Sequence, residues 1–146
     1  MQRTVRHILE VKGFDVWSVT PETSVFDALR TMSDKDVGAL MVMEGDRMVG
    51  IVSERDYARK VVLLGKTSRG TKVSDIMSSK VITIHPDQTV EEAMELMNNQ
   101  RIRHLPVVEG DGEPKVIGMI AQRDVMRAII HKQREALKEM ENKVRR

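Results

Sequence analysis

Two short segments place side chains capable of chemistry at matching distances. GIVSERD, residues 50–56, and GMIAQRD, residues 118–124, each run from a glycine through an apolar pair to a helix start that carries an aspartate. Ser53 sits where an extended segment gives way to a helix, so its hydroxyl can cap that helix or donate to an anion beside the exposed N–H groups. Asp56 follows one turn later on the same side. A carboxylate there can accept two hydrogen bonds from a vicinal diol such as a ribose. The plain alternative is an S-x-x-D cap that holds no ligand. The second segment keeps Asp124 but has Ala121 in place of the serine. A serine is therefore dispensable for folding such a unit, which favours a functional role for Ser53.

Other chemistries fare worse. The chain has no cysteine, so disulfides, thiolate metal sites and cysteine nucleophiles are excluded; this suits a reducing cytoplasm. His7, His85, His104 and His131 form no H-x-x-x-H or HExxH pattern, so no metal site is expected. Ser53, His104 and Asp56 do not make a triad, because a serine and an aspartate one turn apart leave no place for a base and no oxyanion motif accompanies them. Without a P-loop or a credible base, no enzymatic activity is expected. Eleven methionines read mainly as core filling, since Met32, Met94 and Met97 fall on apolar helix stripes.

The elements that must position these residues come in two copies. Val16 onward (VWSVTPETSVFDALRTMSDKDVGALMVMEGD) aligns without a gap to Val81 onward (VITIHPDQTVEEAMELMNNQRIRHLPVVEGD), and after three extra turn residues VGIVSERDYARKVV aligns to IGMIAQRDVMRAII. WSVT and ITIH predict short strands, and TPETS and HPDQT predict helix starts. Val25, Ala28, Leu29 and Met32, then Val90, Ala93, Met94 and Met97, give one apolar stripe per helix. ALMVM and LPVVE predict strands, each followed by a hairpin and a last helix near Glu54 or Gln122. The order is β-α-β-β-α twice. One copy, about 50 residues, buries too little to stand alone. The expected fold is therefore α/β (α+β), with tandem repeats packed sheet to sheet about a pseudo-twofold, plus a C-terminal helix. Residues 1–66 hold repeat 1 with an N-terminal helix or strand, and 67–131 hold repeat 2. Residues 64–75 link them, with SDIM as a helical turn, and 132–146 form a charged helical tail.

Arg103 and His104 stand where the first copy has Gly38 and Ala39. A basic pair at the entrance to a buried strand is poor packing but could neutralise a phosphate. Snorkelling to solvent, or pairing of Arg103 with an acid such as Asp87, is the alternative.

The doubled pattern, with GIVSERD, GMIAQRD, RHLPVV and the linker's VSDIM, resembles the cystathionine-β-synthase (CBS) domain pair, or Bateman module, over roughly residues 1–131. The resemblance implies two clefts for adenosine-containing ligands: AMP first, with ADP, ATP, NAD or S-adenosylmethionine as options. One cleft would combine Ile51, Ser53 and Asp56 with Lys80, Val81, Ile82, Ile102, Arg103 and His104. Asp56 would take the ribose, Ser53 would face the phosphate, and the apolar edges would enclose the adenine. The mirror cleft would use Met119, Ala121 and Asp124 with Val16, Trp17, Val37, Gly38 and Ala39. Lacking the hydroxyl and the basic pair, it would be the weaker site. The resemblance further implies a homodimer, a flat disc of four units, that regulates a partner protein by changing pose with ligand.

Composition sets the remaining bounds. With 146 residues, 40% hydrophobic and 32% charged, the chain reads as globular. Net charge is only +2, and one Trp, one Tyr and two Phe are too few for a base-stacking platform, so nucleic acid is not expected. No apolar run spans a bilayer and no signal-peptide stretch opens the chain, so no membrane partner is expected. In the tail, Ile130, Leu137 and Val144 recur every seven residues with Met140 between, a seam of about two heptads that suits a solvated helix, a dimer contact or a docking surface. The rival to a ligand sensor is a structural or interaction module whose clefts stay empty.

Overall fold

The structure, a computed structural model, describes residues 3–144. Its elements are α1 (Val5–Lys12), β1 (Ser18–Val19), α2 (Val25–Lys35), β2 (Ala39–Glu44), β3 (Arg47–Ser53), α3 (Glu54–Tyr57), α4 (Val90–Gln100), β4 (His104–Glu109), β5 (Lys115–Ala121) and α5 (Gln122–Val144). They form two compact units. One is Val16–Val81; the other joins the N-terminal segment through Asp15 to the chain from Ile82 onward.

In Val16–Val81 the sheet order is β1-β2-β3, with β1 parallel and β3 antiparallel to β2. Ser24 caps α2 by accepting from the Asp27 N–H, and the stripe behind it buries Val25, Ala28 and Met32 against Leu40, Val42 and Val52. The last helix of this repeat is short. α3 runs four residues and widens into a π-helical turn, Ala58–Val62, where Val61 is buried and Lys60 Nζ donates to the Ile76 carbonyl at 2.9 Å. The linker is ordered. Carbonyls of Thr71 and Ser68 accept from the Val25 and Phe26 N–H groups at the start of α2, and Arg69 lies 4.0 Å over the Phe26 ring. A short 3₁₀ turn covers Val73–Asp75, within SDIM and the residue before it.

The second unit repeats this scheme with two differences. Thr89 caps α4 through the Glu92 N–H, and Val90, Ala93 and Met97 are buried with Leu105, Val107 and Ile120. β4 and β5 pair antiparallel, with a register irregularity at Val107/Val108 that matches the one at Val42/Met43. The expected ITIH strand shrinks to a single parallel bridge, Ile84 to Val107. α1 takes part in this core instead. Val5, Ile8 and Leu9 are buried in it, and the N–H groups of Val5 and Arg6 donate to the carbonyls of Gln88 and Pro86. Linear division of the chain at residue 66 leaves α1 with the first repeat; in space it completes the second.

Glycine decides the fit on both sheets. A Cβ on Gly118 would stand 2.6 Å from Leu9 Cδ2, and one on Gly50 would stand 2.7 Å from Met77 Sδ and 3.0 Å from the Ser78 carbonyl. Gly50 thus serves close packing in mid-strand. The expected C-terminal helix is continuous with the last helix of repeat 2, giving 23 residues in α5.

Candidate functional site

Each repeat ends its hairpin at a corner where a strand turns into a helix, and the aspartates sit there. Asp56 Oδ2 accepts from the Ser53 N–H at 2.9 Å and from the Ser53 hydroxyl at 3.1 Å, while the Ser53 Oγ accepts from the Asp56 N–H at 3.3 Å. This is a reciprocal cap. In the other unit Asp124 Oδ2 accepts from the Ala121 N–H at 2.8 Å. The aspartate alone closes the cap there, which is why alanine suffices in place of serine. Anchoring is through one oxygen in both cases. Asp56 Oδ1 lies 3.5 Å from Lys60 Nζ, and no hydrogen bond from the described residues reaches Asp124 Oδ1, so each carboxylate is pre-oriented with acceptor capacity left over.

The hairpin registers decide which residues share a corner. Ala39 pairs with Ser53, and the Glu54 N–H donates to the Gly38 carbonyl at 3.1 Å. His104 pairs with Ala121, and the Gln122 N–H donates to the Arg103 carbonyl at 2.8 Å. Antiparallel pairing joins the first residue of one strand to the last of the next, so Gly38 and Ala39 belong with Asp56, and Arg103 and His104 with Asp124. These are neighbours within one repeat, whereas the sequence expectation concerned clefts that combine residues of both repeats. Of the remaining candidates, Ile51 exchanges two backbone hydrogen bonds with Ser78, whose hydroxyl donates to the Lys80 carbonyl at 3.5 Å, and Val81 follows at the end of that unit. The Trp17 carbonyl accepts from Met41, the Trp17 ring lies under Lys35 Nζ at 4.3 Å, and the Val37 N–H donates to Met32. Ile82 and Ile102 pack against the core of the second unit, and Met119 faces Pro106 across the hairpin.

Lys12, which the sequence did not single out, donates from Nζ to Asp124 Oδ2 at 2.7 Å. The Asp124 side chain is 11% exposed and that of Lys12 32%. Nothing local flags Lys12, because it is brought there by the docking of α1 more than a hundred residues away in sequence. His104 also differs from expectation. Burial first, then the positive charges of Lys12, Arg123 and Arg103 against the opposing pull of Asp124, lowers its pKa from 6.5 to about 4. At neutral pH it is an uncharged imidazole able to donate or accept, not half of a cationic pair; the cations around it are Lys12, Arg123 and Arg103.

With this geometry established, comparison with known proteins gives the class. The chain belongs to the CBS domain family, whose model matches residues 5–63 and 73–131. It is 40% identical over 147 residues to the CBS domain-containing protein CBSX3, mitochondrial, of Arabidopsis thaliana, covering 94% of this chain and 69% of that protein. It is 33% identical over 112 residues to inosine-5′-monophosphate dehydrogenase of Thermoplasma acidophilum, where it spans only 21% of the enzyme. Among solved structures it resembles the CBS-domain containing protein ATU1752 from Agrobacterium tumefaciens, at 33% identity and a TM-score of 0.79, covering 86% of this chain and 98% of that one. The CBS domain pair of protein MJ0100, solved with 5′-methylthioadenosine and S-adenosyl-L-methionine, shares the fold at 24% identity and a TM-score of 0.78, covering 90% of this chain and 99% of that one.

Proteins of this class are commonly regulatory ligand-binding modules. Among the described residues no helix is long and apolar enough to cross a membrane, and no cluster of three metal-ligating side chains occurs.

Proposed function

We propose that this chain is a non-catalytic regulatory module that binds an adenosine nucleotide, AMP being the first candidate, and acts as a homodimer on a partner protein. The observation that carries this reading is the state of Asp124. Its Oδ2 is fixed by the Ala121 N–H and by Lys12, its Oδ1 is left for a ribose hydroxyl, and Arg103 and Lys12 stand near for a phosphate. Asp56, held by Ser53, offers the same ribose grip beside Gly38 and Ala39 with fewer cations, so Asp124 is proposed as the stronger phosphate site. That reverses the ranking from sequence. The ligand complex of protein MJ0100 supports a fold of this kind holding adenosine compounds. A cysteine-free chain suits a reducing compartment, and the cytoplasm is the proposed one. Regulation requires that the ligand favour one pose of the chain over another, because equal affinity for both shifts nothing.

The test is a thermal-shift series with AMP, ADP, ATP, NAD and S-adenosylmethionine, followed by calorimetric titration. Ligand at 100 times its dissociation constant stabilises by about 2.7 kcal/mol. Arg103→Ala should weaken AMP by about 10- to 100-fold, the worth of one charge-assisted hydrogen bond, while leaving adenosine unaffected. Silence toward every adenosine compound would instead establish a structural or interaction module.

A further inference from the structure

α5 carries an apolar seam that its own unit does not use. Val125 is buried on the inner side and α4 packs against the helix, yet Met126, Ile130, Leu137, Met140 and Val144 are 48%, 44%, 59%, 63% and 85% exposed. Their spacing alternates four and three, with Gln133 in the one polar position. That is the two-position repeat by which one helix packs along another. It begins at Met126, so it is longer than the tail alone suggests, and the N-terminal half of α5 is already held in place by its unit, which removes the nucleation cost that defeats short free helices.

We infer that a second copy of this chain docks on this seam, antiparallel, with Arg127 of each copy against Glu141 of the other. Charge selects both the occupant and the direction. Antiparallel, Met126 meets Val144, Ile130 meets Met140 and Gln133 meets Leu137, and along the flank Arg127 falls beside Glu141 twice by symmetry. Parallel, each seam residue stacks on itself, and the flank sets Arg134 by Ile129 and Glu141 by Ala136, so neither Arg127 nor Arg134 gains an acid. Arg127 and Glu141 are exposed, and no ion pair within the described residues occupies either. The groove of about 710 Å³ between α1 and α5 has Arg127, Ile130 and Arg134 in its wall and opens beside the same flank. One contact opposes the pairing: Arg134 meets its own copy at the dyad.

This deepens the dimer in the proposed function and does not depend on its ligand. The absence of cysteine makes the geometry directly readable. Under mild oxidation the full-length chain carrying both Ile130→Cys and Met140→Cys should form a covalent dimer, while either single variant should not. Cross-linking of a single variant, or none in the double, overturns the antiparallel seam. By light scattering, Arg127→Glu and Glu141→Arg should each raise the dimer dissociation constant about tenfold through two reversed pairs, and the combined swap should restore it. Arg134→Ala should tighten the dimer. A chain monomeric at all concentrations, or an unchanged mass for Arg127→Glu with an unchanged melting curve, also overturns the inference. Nucleotide titration of the same variants separates the two proposals: a seam dimer that binds no nucleotide refutes the ligand alone, and a nucleotide-binding monomer refutes the seam alone.

Discussion

Lys12 Nζ lies 2.7 Å from Asp124 Oδ2, and the same oxygen accepts the Ala121 N–H, so one carboxylate ties α1 to the first turn of α5. Its two duties differ in worth. Asp124→Ala removes a helix cap as well as an ion pair and should cost about 1–2 kcal/mol. Lys12→Met keeps the cap and should cost under about 1 kcal/mol. Urea denaturation of both variants checks the order; equal losses would mean that the cap contributes nothing.

His104 predicts a pH dependence. Its folded pKa, about 4, lies below the unfolded 6.5, so between these values the unfolded chain binds the additional proton. Stability from this group is therefore complete above about pH 6.5 and is lost as pH falls toward 4, by on the order of 2–3 kcal/mol. His104→Gln should flatten the stability curve across that window, measured by chemical denaturation at half-unit pH steps. An identical slope in the variant would show that the imidazole titrates normally.

Gly118 and Gly50 are predicted to reject even a methyl group. Gly118→Ala drives into Leu9 and should cost about 1–3 kcal/mol by overpacking, and Gly50→Ala, against Met77 and the Ser78 backbone, should cost a similar amount. Gly45, whose Cβ would meet nothing, makes the control, since Gly45→Ala loses only through its φ of +62°. Melting temperatures of the three variants compare crowding with backbone strain.

Arg101 and Asp36 end α4 and α2 in the left-handed region, with φ of 55° and 54°. Glycine bears that conformation without the side-chain penalty, so Arg101→Gly should raise stability by about 1 kcal/mol. A lower melting temperature for Arg101→Gly would show that the side chain does more than end the helix.

Much of the fold was legible because it is local. Ser24 and Thr89 as caps, Val25 and Val90 opening equivalent stripes, and three extra residues confined to one turn are all relations within a few positions. What escaped was long-range. No spacing rule indicates that Leu9 seats on Gly118, and without that seat Lys12 has no reason to meet Asp124. The corner neighbours of the basic pair were hidden for a related reason. Aligning the copies shows that Arg103 corresponds to Gly38, whereas only the register of β4 on β5 shows that it shares a corner with Ala121. His104 was expected to be a cation because its type was visible and its burial was not. The shortened α3 is different: nothing in DYARKVV distinguishes a π turn from a further turn of α-helix.

The docking of α1 makes the second unit discontinuous in the chain, and this governs the order in which the protein can be completed during synthesis. Val5, Ile8 and Leu9 leave the ribosome well before β5, the strand that receives them, which is made more than a hundred residues later. Arg3 and Glu135, 2.7 Å apart, show how near the early segment comes to the late helix. A circular permutant with the chain ends joined and opened between Val81 and Ile82 would therefore present each unit as one uninterrupted run, free to finish folding as it emerges.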